Sequence, residues 1–199
     1  MLAGCATHSA APTASAVTTD RAQAPVLATV GHATTPAAPS LGDLVIPRAA
    51  PTRLVISALG IDAAVEEYTD AQVAAEDGWV DPVHRDIVAW WSGGGTPGNP
   101  SDNTVYLYGH VSSQPAVFNA LADAAVGQLI EVTTSAGTLT YSVTDVLPPV
   151  LKSELPDVPD VAAAVPGRLV LIGCHRDADQ GTKPTTKNNV VIAQQLSGT

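Results

Sequence analysis

The sequence predicts an all-β domain, a closed or nearly closed barrel of seven or eight short strands with one or two short helices, behind a disordered N-terminal tether. Three observations carry this. Short segments rich in β-branched and aromatic residues recur between residues 53 and 193. Clusters of Gly, Pro and Asn separate them. Residues 1–40, by contrast, are dominated by Ala, Thr, Pro and Ser and lack periodic large apolar side chains, so burial could not offset their ordering entropy. The expected division is a tether over 1–50 and a folded domain over 51–199, which is room for one domain with a core.

The elements follow in order. Residues 53–59 read as a strand, Gly60 as a turn and residues 61–65 as a second strand. Residues 66–77 are acidic and Ala-rich, a loop or a single helical turn. Trp79, Trp90 and Trp91 flank Asp81-Pro82 and read as core or groove wall rather than as a carbohydrate platform. The Gly- and Pro-dense run 92–100 is a loop. Residues 104–108 form a β-branched and aromatic strand ended by Gly109-His110. Over 115–121 the spacing of Val117, Phe118 and Leu121 predicts a short helix, with Ser113 as N-cap and Pro115 in its first turn. Residues 129–134 and 139–146 make a hairpin through Ser135-Ala136-Gly137. Pro148, Pro149, Pro156 and Pro159 argue against a central strand in the stretch that follows. The apolar run 168–174 is a buried strand, and residues 189–193 are the last.

Composition excludes several functions. The net charge is -10, from 19 acidic and 9 basic residues, without the basic stripe that nucleic acid demands. No apolar run is long enough for a membrane-spanning helix. The two cysteines, Cys5 and Cys174, cannot make a disulfide scaffold. No zinc spacing or phosphate loop occurs, so no metal or cofactor is expected. The acidic run Glu66-Glu67, Asp70 and Glu76-Asp77 reads as a solvated face.

His110 closes one strong strand and Cys174 another, and strand ends at a barrel rim are where loops build sites. A thiol nucleophile needs a base or a positive neighbour, because the thiolate is the reactive species. A His on an adjacent strand end would supply it. His175 follows Cys174 directly and, on an extended chain, faces the other way.

The segment Tyr108-Gly109-His110-Val111, continued by Pro115-Ala116-Val117-Phe118, resembles the surroundings of the catalytic His of sortases, most closely the class F type of high-GC Gram-positive bacteria. Leu171-Ile172-Gly173-Cys174 is similar to the family's strand ending in Thr-Cys, and Asn188-Asn189-Val190-Val191-Ile192 to its final strand. Trp90-Trp91, Gly93-Gly94-Gly95 and Pro97-Gly98 fall in the family's order, and the resemblance covers about 52–193. It implies an eight-stranded barrel and a cysteine transpeptidase at the cell surface. By that resemblance Cys174 attacks an LPXTG-like sorting signal of a surface protein and forms a thioacyl enzyme. An amine, from a cell-wall precursor or a protein lysine, then resolves it. His110 would protonate the leaving amine. Leu2-Ala3-Gly4-Cys5 resembles a lipobox, which implies membrane attachment only through an anchor, at Cys5.

Two positions depart from the family pattern. Gly173 stands where Thr is usual. The family also expects an Arg after the Cys to hold the substrate carbonyl. Arg176, which shares a face with Cys174 if the strand continues, is the first choice and Lys187 the alternative cation. Two other readings stay open. One is an L,D-transpeptidase, faintly suggested by Gly173-Cys174-His175-Arg176, although no His lies shortly before the Cys. The other is a weakly active or inactive sortase-like surface binding protein.

Overall fold

The computed structural model describes residues 45–181 and 183–196. Cys5 and most of the expected tether lie outside the described residues. Eight strands close into a barrel: β1 (Pro51–Ile56), β2 (Ile61–Tyr68), β3 (Val88–Trp91), β4 (Val105–Gly109), β5 (Leu129–Thr134), β6 (Gly137–Leu151), β7 (Arg168–Cys174) and β8 (Lys187–Gln195). Their order around the barrel is β1-β2-β3-β4-β7-β8-β6-β5. The β2–β3 and β4–β7 pairs are parallel, and the other neighbours are antiparallel. Closure pairs every strand with a neighbour on each side along at least part of its length.

Alternation along each strand separates two apolar clusters. Leu54, Leu107, Ile130, Leu139, Leu171 and Val191 belong to the first, which fills the barrel. Tyr106, Val170, Ile172, Val190 and Ile192 belong to the second, on the outer side of the same strands. Leu155 and Val161, from the connection between β6 and β7, cover it. That connection contains a 3-10 segment, Lys152–Asp157, and a single helical turn, α2 (Pro159–Ala162). The other helix, α1 (Asp70–Ala75), opens with a reciprocal capping box between Thr69 and Gln72.

Three expectations need correction or extension. The helix expected over 115–121 is a series of turns, followed by a 3-10 segment at Leu121–Asp123. The Asn119 side chain explains this. It accepts from Ser112 N (2.8 Å) and donates to Gln114 O (2.9 Å), closing a loop where helical bonds would have run. Phe118 and Leu121 are nonetheless fully buried in the barrel.

Pro148 and Pro149 do not end β6, which runs on to Leu151. Beyond Ser142 the strand no longer pairs β5, only β8, and its register shifts between Leu147 and Val150. A proline is tolerated on such a one-sided, bulged stretch because no partner needs its missing N–H. Finally, residues 46–49, assigned by composition to the tether, lie against the loop after β3. Asn99 N donates to Ile46 O (2.9 Å), Ala49 N donates to Pro97 O (3.0 Å), and Ile46 packs on the core.

Candidate active site

The parallel pairing of β4 and β7 sets the geometry of the site. Tyr108 is in register with Ile172, and Gly109 with Gly173. His110 and Cys174 are therefore the next residues on two neighbouring strands, which lie about 4.8 Å apart. Both line a cleft of about 850 Å³ on the outer side of the barrel. Its floor is made by Tyr106, Tyr108 and Ile172. One wall comes from the β6–β7 connection, with Lys152, Leu155 and Val161. The other comes from residues 76–82, with Trp79 half exposed.

Glycine makes this arrangement possible. A Cβ on Gly109 would lie 2.5 Å from the Phe118 ring. Without one, Phe118 fits under the end of β4, and its backbone N donates to His110 O (2.9 Å). The His110 ring is held from the opposite wall, where Nε2 meets Pro82 O at 2.5 Å. A carbonyl only accepts, so Nε2 is the N–H, and Nδ1 is the acceptor of the neutral ring.

Cys174 is partly exposed, as a nucleophile must be. Its carbonyl accepts weakly from Asn189 Nδ2 (3.4 Å). His175 indeed turns aside, bridging Asn189 Oδ1 (2.8 Å) and the Asp177 carboxylate (3.1 Å). The two floor phenols stay neutral. Burial pushes both upward, and the neighbouring Tyr106 adds to the effect at Tyr108. Tyr106 donates to Val161 O (2.6 Å), tying the floor to the wall. Trp91 lies beside it, ring centroids 5.6 Å apart, and donates through Nε1 to Asp70 (2.8 Å). Trp90 instead is buried and donates to Gly95 O (3.0 Å).

A thiol and an imidazole at adjacent strand ends, facing a largely apolar cleft, are the parts of a covalent acyl-transfer site. A sequence model of the sortase domain matches residues 54–196, well over half of the chain. The chain belongs to the sortase family. Solved structures agree on the fold. Sortase C-1 from Actinomyces oris is 22% identical with a TM-score of 0.52, over 72% of this chain and 72% of that one. Sortase A from Listeria monocytogenes is 15% identical with a TM-score of 0.54, over 75% and 88%. Sortase C1 from Streptococcus agalactiae is 19% identical with a TM-score of 0.54, over 73% and 66%. A search of curated proteins found no match. Sortases are transpeptidases of the cell surface that join sorting-signal substrates to amines, and this chain is a sortase by family and by fold.

The two cations weighed for the sortase arginine are not brought to this cleft. Strand β7 stops at Cys174, so the condition that would have put Arg176 on the same face is not met. Its guanidinium donates instead to Gly181 O. Lys187 is one residue before Asn188 on β8, and alternation turns it away from the face that Asn188 shares with Cys174. Neither residue lines the cleft, whereas Lys152 does. Gly173 also looks different in place. A Cβ there would meet Val111 at 3.1 Å and Leu121 at 3.3 Å, inside the barrel end. A side chain at 173 would crowd those two residues rather than enter the cleft.

Residue-level reading missed Asn188, Lys152 and Pro82. Asn188 sits directly opposite Cys174 in the β7–β8 ladder, and only the register reveals that.

Proposed function

We propose that this sortase is a class F type cysteine transpeptidase that cleaves an LPXTG-like sorting signal between Thr and Gly. The observation that carries the reading is the adjacency of His110 and Cys174 at the ends of two parallel strands, facing one cleft. The Cys174 thiol gives its proton to the His110 imidazole, and the resulting thiolate attacks the Thr carbonyl carbon. The tetrahedral intermediate collapses as the C–N bond breaks, and the departing amine takes a proton from the His110 imidazolium. The product is a thioester on Cys174. An incoming amine, of a cell-wall precursor or a protein lysine, attacks that thioester and gives a proton back to His110. The sulfur leaves, and a new amide bond joins the two partners.

The Pro82 carbonyl supports this by holding Nε2–H, which leaves Nδ1 to carry the transferred proton. The apolar floor and the half-exposed Trp79 suit the Leu and Pro of such a signal. The protein acts outside the cytoplasm. Lipid on Cys5 would tether it to the membrane surface through the Ala- and Pro-rich segment that follows.

The test is a fluorogenic LPXTG-type peptide with a glycine-based amine in excess. Release of the C-terminal fragment together with formation of the peptide–amine product is expected. Unchanged cleavage by Cys174→Ala would remove the thiol from the mechanism.

A further inference from the structure

We infer that Asn188 is the residue that holds the substrate carbonyl during acylation, a neutral amide in place of a cation; this rests on the transpeptidase reading above. Four observations converge on it. Asn188 is the direct cross-strand partner of Cys174, so their side chains leave the same face with Cβ atoms about 5 Å apart. It is 7% exposed, and that remnant opens onto the cleft it lines. Its amide makes no hydrogen bond to any described residue of the protein. By contrast its neighbour Asn189, one step along and on the other face, is engaged by His175 and by the Cys174 carbonyl.

The amide is not sealed off: its polar atoms reach the cleft, where a ligand oxygen can take the place of water. The natural completion is an oxygen that gains negative charge beside the Cys174 sulfur. The carboxamide NH₂ brings two N–H donors to that place. Donors fixed before the reaction and aimed where charge develops are worth most in a site with little water. Arg176 and Lys187 are directed elsewhere, as described above. Lys152 is the one Lys or Arg among the described residues that lines the cleft, but it stands on the wall rather than in the β7–β8 ladder.

The experiment follows thioacyl formation on the full chain by intact mass at short times, with an LPXTG-type peptide in excess. Binding is measured separately by fluorescence anisotropy in the Cys174→Ala background. Asn188→Ala is expected to slow acylation about 100- to 1000-fold while peptide affinity changes only a few-fold. Asn188→Asp, nearly the same shape, keeps the fold by circular dichroism and is slowed at least as much, because a carboxylate repels the developing oxyanion. Acylation of both variants at the parent rate overturns the inference and leaves the transpeptidase reading standing. So does a loss confined to Lys152→Ala, which would return the role to a cation. A parent protein that forms no adduct at all overturns both.

Discussion

The two faces of β4, β7 and β8 are made by the same three strands and do different work. The inner face presents Leu107, Leu171 and Val191, at 0–1% exposure, and is a matter of shape and volume alone. The outer face presents Tyr108, Cys174 and Asn188, which line the cleft and on which the proposed chemistry rests. Every outer residue is one step from the inner series. The barrel can therefore be packed to completion without drawing on the site, and a one-residue slip in register would exchange the two. The two ladders of β7 lock that register, with β4 on one side and β8 on the other.

Substitutions can break this separation of faces or sharpen it. The largest effect is expected on the outer face. Cys174→Ala should abolish peptide cleavage while leaving the melting temperature nearly unchanged, as read by calorimetry. His110→Ala should lower the cleavage rate by about 100- to 10,000-fold, the usual range for losing a general acid–base. On the inner face, Leu171→Ala should cost about 2–5 kcal/mol in denaturant unfolding, with little effect on cleavage per folded molecule. Gly109→Ala is the variant that should cross between faces. Its new methyl collides with Phe118, costing about 1–3 kcal/mol. Because Phe118 also fixes the His110 backbone, cleavage per folded molecule should fall too. A loss of stability with fully retained activity in Gly109→Ala would break the proposed link.

Tyr141→Phe is a smaller test, and of opposite sign. The Tyr141 hydroxyl is buried in the barrel with no hydrogen-bond partner among the described residues, and removing it should stabilise the fold by about 1 kcal/mol. Arg176→Ala should have the least effect, within about 0.5 kcal/mol in stability and without change in cleavage rate.

The sequence made some of this legible and hid the rest for physical reasons. His110 and Cys174 stood out because one directly follows and the other ends a strongly apolar strand, and such ends are visible without knowing the pairing. Asn188 did not, because its meaning lies in being opposite Cys174, a long-range register that no local pattern encodes. Arg176 looked suitable only on the premise that β7 continued, but His175 already turns to Asn189 and Asp177. The segment over 115–121 carried true helical spacing in its buried residues, yet one side-chain amide, Asn119, took the backbone bonds that a helix needs. The prolines after Leu147 signalled a strand that could pair on one side only, rather than a strand's end.

The central claim, that the lone thiol of the barrel is the acyl carrier, is tested most directly by mass. The full-length protein is mixed with an LPXTG-type peptide without added amine, and its intact mass is taken before and after digestion. An added mass equal to the peptide up to its Thr, mapped to Cys174 and released by hydroxylamine, is the expected result. An unmodified parent, or the same adduct in Cys174→Ala, would contradict it.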